Sequence, residues 1–269
     1  STTVIPNTVK AICGGAFRNA PEELSIPNSV DSIAQSAIRG TALKKLTIGT
    51  GLRKIMNQAI YSTSIISISV ASGNPYFDSR NNCNAVIEKS TNTLIMGCPS
   101  TVIPNTVKTI ASSAFYTNTK GFNYGRITIP ASVEKIESYA FNSCSSLGSV
   151  VIGSNVSEID GNAFYGCDGL YGVYVLSSNP FEISDDVFRS MSSDKDKIYN
   201  SATLVVPTGT RINYLTTEGW NKFSKIIEGD VNTIFEGMTI TNEPLVYRVT
   251  NTENKTCELY GTTGTVTGN

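Results

Sequence analysis

One pattern recurs through most of this chain and leaves it few folds. An apolar residue is followed by Pro or Gly, then by apolar residues four, seven and twelve positions after the first, with Ala just before the last. Six stretches obey it without a gap: Ile5-Pro6-Val9-Ile12-Ala16-Phe17, Ile26-Pro27-Val30-Ile33-Ala37-Ile38, Ile48-Gly49-Leu52-Ile55-Ala59-Ile60, Ile103-Pro104-Val107-Ile110-Ala114-Phe115, Ile129-Pro130-Val133-Ile136-Ala140-Phe141 and Ile152-Gly153-Val156-Ile159-Ala163-Phe164. A weaker seventh runs from Ile183 to Phe188, where Val187 replaces the alanine. Successive terminal Phe or Ile positions are 21, 22, 55, 26, 23 and 24 residues apart. Apart from the 55, these steps suit one solenoid coil each. The string Thr-Val-Ile-Pro-Asn-Thr-Val-Lys stands verbatim at Thr3 to Lys10 and again at Thr101 to Lys108, which duplication explains most simply.

Before each Ile-Pro, or its equivalent, lies a short alternating run: Leu43, Leu46 and Ile48; Ile65, Ile68 and Val70; Leu147, Val150 and Ile152; Leu170, Val173 and Val175. Alternation of β-branched and aliphatic residues predicts a strand with one buried face, and the following proline ends the ladder because it has no N–H to donate. The Val-x-x-Ile and Ala-Phe portion is too short for a long helix and returns the chain as an extended piece and a turn or short 3₁₀ segment. One coil cannot enclose its own apolar residues, so stacking must cover them. At about 1.5–3 kcal/mol for each buried aliphatic or Phe side chain, burial suffices without metal or cofactor.

The 55-residue step holds an insertion. Asn74-Pro75-Tyr76-Phe77 begins a different texture, and Asn84 to Glu88 and Thr93 to Met96, separated by Lys89-Ser90-Thr91-Asn92, predict a β-hairpin projecting from the convex or lateral side.

Composition removes several classes of function. Lys plus Arg is 21 and Asp plus Glu 22, so no electrostatic footprint points to nucleic acid. No apolar run nears the roughly 20 residues a spanning helix needs, so membrane insertion is not expected of this chain. Histidine is absent, which excludes Ser-His-Asp and Cys-His catalysis and zinc sites with His ligands. The six cysteines, at 13, 83, 98, 144, 167 and 257, form no C-x-x-C pair. Cys144 and Cys167 each follow the repeat Phe by three residues, so stacking could bring them within disulfide distance, but small buried thiols suit that slot better. Asp185, Asp186, Asp194 and Asp196 match no calcium-loop spacing and read as a solvated acidic turn.

Taken together, L-x-x-L-x-I-P followed by V-x-x-I-x-x-x-A-F-x-x-C-x-x-L resembles the BspA-like class of leucine-rich repeats. The Asn-Pro-x-Phe insertion leading to Leu94-Ile95-Met96-Gly97-Cys98-Pro99 fits that class, as does the stretch from Leu204 through Trp220 to Glu228, which looks like its last coil and cap. The resemblance implies a right-handed solenoid with short parallel strands on one face and irregular, 3₁₀ or short-strand segments on the convex side. Residues 1–230 would form about eight to nine coils, with a hairpin insertion near 74–100 and a cap over 203–230. Residues 231–269 would add a β-hairpin segment built on Leu245 to Val249 and Thr256 to Tyr260, either opening a further repeat array or packing on the last coil. Both ends read as cut from a longer protein. The class is secreted or cell-surface, so the resemblance implies adhesion to host extracellular-matrix or microbial surface proteins by a monomer without cofactor, and not an enzyme.

If strand alternation holds, two rows of side chains point away from the core. The candidate binding face they define comprises Glu23, Ser25, Lys45, Thr47, Ser67, Ser69, Arg126, Thr128, Ser149, Val151, Tyr171 and Tyr174, with the tyrosines and Val151 as the best local anchor. A structural spacer between neighbouring domains and a carbohydrate-binding module are the alternatives to protein binding.

Overall fold

The computed structural model describes residues 4–40, 42–61, 64–116 and 125–229, together with the backbone of strands Thr239–Asn242, Leu245–Asn251 and Thr256–Thr262. The repeat coils as a parallel-strand solenoid with little helix. A regular coil gives a four-residue strand to a broad face, then a turn, then a two-residue strand on a second face; the coils from Gly172 onward keep only the first of these strands. In the broad face Glu23–Ile26, Lys45–Ile48 and Ser67–Val70 form one parallel sheet; Arg126–Ile129, Ser149–Ile152, Gly172–Val175, Thr203–Val206 and Lys225–Glu228 form another. Register is set by the repeat itself: Ile26 pairs with Ile48 and Ile48 with Val70, as does Ile129 with Ile152 and Ile152 with Val175.

The residue after each strand accepts the closing bond of the turn. Pro27 O takes Val30 N–H at 3.1 Å, Pro130 O takes Val133 N–H at 3.1 Å and Gly153 O takes Val156 N–H at 3.2 Å. A second turn follows the short strand, and its third residue has positive φ: Gly15, Ser36, Gln58, Ser113, Tyr139 and Asn162, between 54° and 73°. Only one of these is glycine, so most turns hold a side chain in a region that costs about 1–3 kcal/mol. The alanine that follows closes each of them, as Ala37 N–H does to Ala34 O at 3.2 Å and Ala140 N–H to Glu137 O at 3.2 Å. It is buried in the coils from Ala37 onward, and in the seventh repeat Val187 fills the same slot, also buried.

The aromatic that comes next stacks on its counterpart one coil away. Phe115, Phe141, Phe164 and Phe188 form a column with centroids 4.8, 4.9 and 5.0 Å apart and planes within 9° of parallel. The seventh repeat, though degenerate, therefore coils like the rest. Beyond Phe188 the column ends in edge contacts with Tyr199, at 5.8 Å, and Phe223, at 5.3 Å, and in a tilted contact with Trp220 at 6.1 Å. Trp220 is fully buried and its Nε1–H donates to Phe181 O at 2.8 Å, so the single tryptophan plugs the last coil. Cys144 and Cys167 are free thiols, each donating at 3.1 Å to the Phe carbonyl of the preceding coil, Phe115 O and Phe141 O.

The insertion differs from expectation. Val86–Glu88 and Thr93–Met96 do pair antiparallel, but the hairpin does not project. It is built into the second face, where Thr93–Met96 lies parallel to Thr109–Ile110 and continues the ladder through Lys135–Ile136 to Glu158–Ile159. The reason is that Ala85, Val86, Ile87 and Leu94 are apolar on both faces of the ribbon, and all four are fully buried. Alternate side chains serve two cores: Ala85, Ile87 and Leu94 join the cluster of the later coils, while Val86 and Phe77 join that of the first three. Arg80 clips the ribbon's ends, holding Asp78 at 2.8 and 2.9 Å and Asn92 Oδ1 at 2.8 Å.

Asn74 locks the insertion onto the third coil. It is completely buried, its Nδ2 donates to Gly49 O and Leu52 O at 2.9 and 3.0 Å, and its Oδ1 accepts Tyr76 N–H and Phe77 N–H at 2.8 and 2.9 Å. Near the chain's end, Leu245–Asn251 pairs antiparallel with Thr239–Asn242 and Thr256–Thr262. Replacing Asn74 strands two buried carbonyls and two amides. Asn74→Ala is expected to lower stability by about 2–4 kcal/mol in urea denaturation, whereas Asn28→Ala, at an exposed turn, costs under about 1 kcal/mol.

Candidate binding face

Strand pairing sorts the outward side chains into two rows. In the first sheet Glu23, Lys45 and Ser67 are register partners, as are Ser25, Thr47 and Ser69. The second sheet aligns Arg126, Ser149, Gly172, Thr203 and Lys225 in one row and Thr128, Val151, Tyr174, Val205 and Ile227 in the other. These rows arise because adjacent residues of a strand point to opposite faces while the ladder fixes which residues lie side by side. The first and second sheets are not joined to each other.

In the first sheet the face is hydrophilic and open. Glu23, Ser25 and Lys45 are exposed, and Thr47, Ser67 and Ser69 are half-buried. Ser69 Oγ–H donates to Thr47 Oγ1 at 3.3 Å, Lys45 Nζ lies 3.9 Å from Glu23 Oε2, and Lys44 Nζ lies 2.9 Å from Glu22 Oε1. These pairs are more than half exposed, so water screens them and they orient charge more than they stabilise.

The second sheet corrects part of the expected face. Arg126, Thr128 and Tyr171 are exposed, Tyr171 by 53%, but Ser149, Val151 and Tyr174 are buried, at 2%, 3% and 3% exposure. Val151, Tyr174 and Val205 make an apolar cluster of their own outside the solenoid core, with Leu176 packed against it. Gly172 permits this. A Cβ there would lie 2.8 Å from the Tyr174 ring, which is thus folded back along its own strand over the position paired with Ser149. Gly148 plays the same part for Tyr171, whose ring would meet its Cβ at 2.6 Å. Pleat direction alone predicts all three of these residues at a surface, but it takes no account of how far a bulky side chain can lie over its neighbours. Ile227 and Lys225 extend the rows by one strand, Ile227 at 40% exposure, and the sequence reading did not place them there. A longer alternation count through Lys225-Ile226-Ile227-Glu228 would have found them.

The acidic residues near the cap do not converge. Lys222 Nζ holds Asp196 at 2.9 Å and Asp185 at 3.6 Å, Asp186 accepts Asn162 Nδ2 at 2.7 Å, and Asp194 accepts Asp196 N–H at 3.0 Å. Among the described residues no group of three His, Cys, Asp or Glu side chains could hold a metal ion. Nor is any helix among them long and apolar enough to cross a membrane.

The signature of the BspA type leucine rich repeat region matches residues 1–94 and 87–205, in six copies. The chain belongs to the BspA-type leucine-rich repeat family. Among solved structures, a leucine-rich repeat protein from Eubacterium ventriosum aligns over 77% of this chain and 54% of its own, at 17% identity and a TM-score of 0.52. The chain therefore spans about half the length of that relative, and at this identity the likeness extends to the fold. The pneumococcal vaccine antigen PcpA aligns over 83% of this chain and 72% of its own at 18% identity and a TM-score of 0.42. A leucine rich cell surface protein from Faecalibacterium prausnitzii aligns over 78% and 60%, at 16% identity and a TM-score of 0.39. Comparison with curated proteins gives no match.

Burial, with a smaller contribution from neighbouring Tyr171 and partly offset by the Arg126 charge, raises the Tyr174 phenol to about 12. The neutral form is the one the fold accommodates, so this contribution to stability is intact below pH 10, the ordinary phenol value, and is lost as pH rises toward 12. Difference absorbance of the phenolate, wild type against Tyr174→Phe, is expected to assign a titration near pH 12 to this residue. A transition near pH 10 would mean that the ring is not packed as described.

Proposed function

We propose that this member of the BspA-type family is a secreted or surface-displayed binding module that engages a protein partner, as a monomer, through the broad strand face. The observation that carries this reading is the first-sheet surface: Glu23, Ser25, Lys45, Thr47, Ser67 and Ser69 stand in two rows fixed by strand register, on a sheet whose other side is fully packed. Short hydroxyls and a few charges cover little of the backbone beneath, so an extended or broad partner could reach a rigid, hydrogen-bonding surface at low entropic cost. Arg126, Thr128 and Tyr171 add a guanidinium and a large half-exposed ring on the second sheet, and residues of these types carry much of the energy of protein interfaces. Location outside the cell and adhesion to host extracellular-matrix or microbial surface proteins rest on the resemblance to the BspA-like class.

Surface plasmon resonance against immobilised extracellular-matrix proteins and against microbial cell-wall preparations tests the reading. Saturable binding is expected, and the pair Ser25→Arg and Thr47→Arg, which crowds the row without touching the core, is expected to weaken it about tenfold or more while leaving Tm within a few degrees. Undiminished binding in that variant would move the interaction off this face. Full adhesion by a larger protein despite it would favour the spacer reading, and saturable binding confined to a glycan array the carbohydrate reading.

A further inference from the structure

On the flank that carries the Ala-Phe pairs, the backbone rung onto the alanine carbonyl is interrupted once among the described residues. In the first three coils each bonds to the next through the same two amides: Gly15 N–H to Ser36 O and Phe17 N–H to Ala37 O, both 2.9 Å, then Ser36 N–H to Gln58 O and Ile38 N–H to Ala59 O, both 3.0 Å. Past the insertion the second of these rungs, onto the alanine carbonyl, resumes with Gly97 N–H to Ala114 O at 2.8 Å and Phe115 N–H to Ala140 O at 2.7 Å. By this register Gln58 and Ile60 should donate to the coil that follows them. That coil is the insertion, which crosses the flank as Ile95-Met96-Gly97 without making the usual turn. Strand Ile60–Tyr61 is accordingly bonded to Ile38–Arg39 alone. The Gln58 and Ile60 amides meet no acceptor among the described residues.

A cavity of about 230 Å³ fills the interval. Gln58 and Ile60 line one wall, Met96, Ser112 and Tyr116 the other. One side-chain bond, Gln58 Nε2 to Ser113 Oγ at 3.4 Å, spans the gap where two backbone bonds would be. Glu137 is the sole charged residue in the lining, which includes no lysine or arginine. One of its carboxylate oxygens accepts Ser112 N–H at 2.8 Å, and the other meets no hydrogen-bond partner among the described residues.

We propose that this cavity binds a short extended peptide carrying an ammonium group, which takes the place of the missing rung. Its carbonyls accept from Gln58 and Ile60, as the next coil's would, and its ammonium sits against Glu137. Backbone pairing of this kind supplies affinity while side-chain sockets supply preference. The preference follows from the repeat: every intact coil places Ala and then Phe or Ile on this rung, so a small residue followed by a large apolar one is the complement. The cavity is below the usual size of drug-like pockets, which limits the buried part to about two residues.

The probe is alanyl-phenylalaninamide with a free amino terminus, titrated into the isotope-labelled chain and followed by amide chemical shifts. Saturable shifts are expected at Gln58, Ile60 and Gly97 at millimolar concentration. The N-acetylated probe, which lacks the charge, should bind at least about fivefold more weakly, as should the free amine to Glu137→Gln. Ala111→Phe, which fills the cavity from a residue whose backbone bond to Leu94 O is retained, should abolish the shifts without lowering Tm appreciably. Absence of saturable shifts in the wild type, shifts mapped to other residues, or equal binding of the acetylated probe would each overturn the proposal. Because the cavity does not include the strand-face rows, either proposal can fail with the other intact.

Discussion

The spacing of hydrogen-bonded parallel strands governs the molecule. Neighbouring strands must lie about 4.8 Å apart, and each side chain of a coil therefore has its counterpart at that distance along the stack. The Phe column obeys it, with centroid separations of 4.8 to 5.0 Å. So do the buried thiols, each reaching back one coil to a Phe carbonyl. Parallel rings at this separation fall within the centroid range that aromatic pairs prefer. The ladder spacing and the ring stacking therefore agree, and the four rings are buried together.

That rule also explains why the insertion folds inward. A ribbon apolar on both faces has to be covered twice, and the junction between the first three coils and the later ones offers two apolar surfaces. It settles there and divides its side chains between the two cores. The broad face and the Ala-Phe flank lose continuity at this point, because the ribbon supplies a strand to the second face only. Asn74 compensates locally by standing in for backbone partners, offering two donors and one doubly used acceptor to groups that a regular coil would have paired. Ser100 does likewise on the other side, its hydroxyl donating to Ile66 O at 2.7 Å.

Most of the fold could be read from the sequence because spacing is a property the chain displays directly. Ile48, Leu52 and Ile55 fall at the same offsets as Ile129, Val133 and Ile136, and register follows from that alone. The hairpin's existence was legible from its two apolar runs, but its place was not. Whether a ribbon projects or inserts depends on what covers its second face, and Val86 and Ile87 look the same in either case. The left-handed turn residues were hidden for another reason: Ser36, Gln58 and Tyr139 carry no glycine or asparagine signal, since the stacked coils, and not local preference, hold their φ positive. The candidate face was half legible. Pleat direction gave the rows, but the covering of Val151 by Tyr174 and Val205 depends on the absence of a Cβ at Gly172 two residues away.

This division of the broad face bears on what it can do. Where outward residues are small, as at Ser25, Thr47 and Ser69, the sheet stays open and presents hydroxyls and backbone held at ladder spacing. Where they are large, as at Val151, Tyr174 and Val205, they bury one another and withdraw from contact, leaving Arg126 and Tyr171 at the margin. A parallel array of this sort offers area and periodicity, and its side chains point outward along parallel directions. Such a surface suits recognition of something equally extended, with affinity gathered from many modest contacts, and suits far less the convergence of a few groups on one reacting atom.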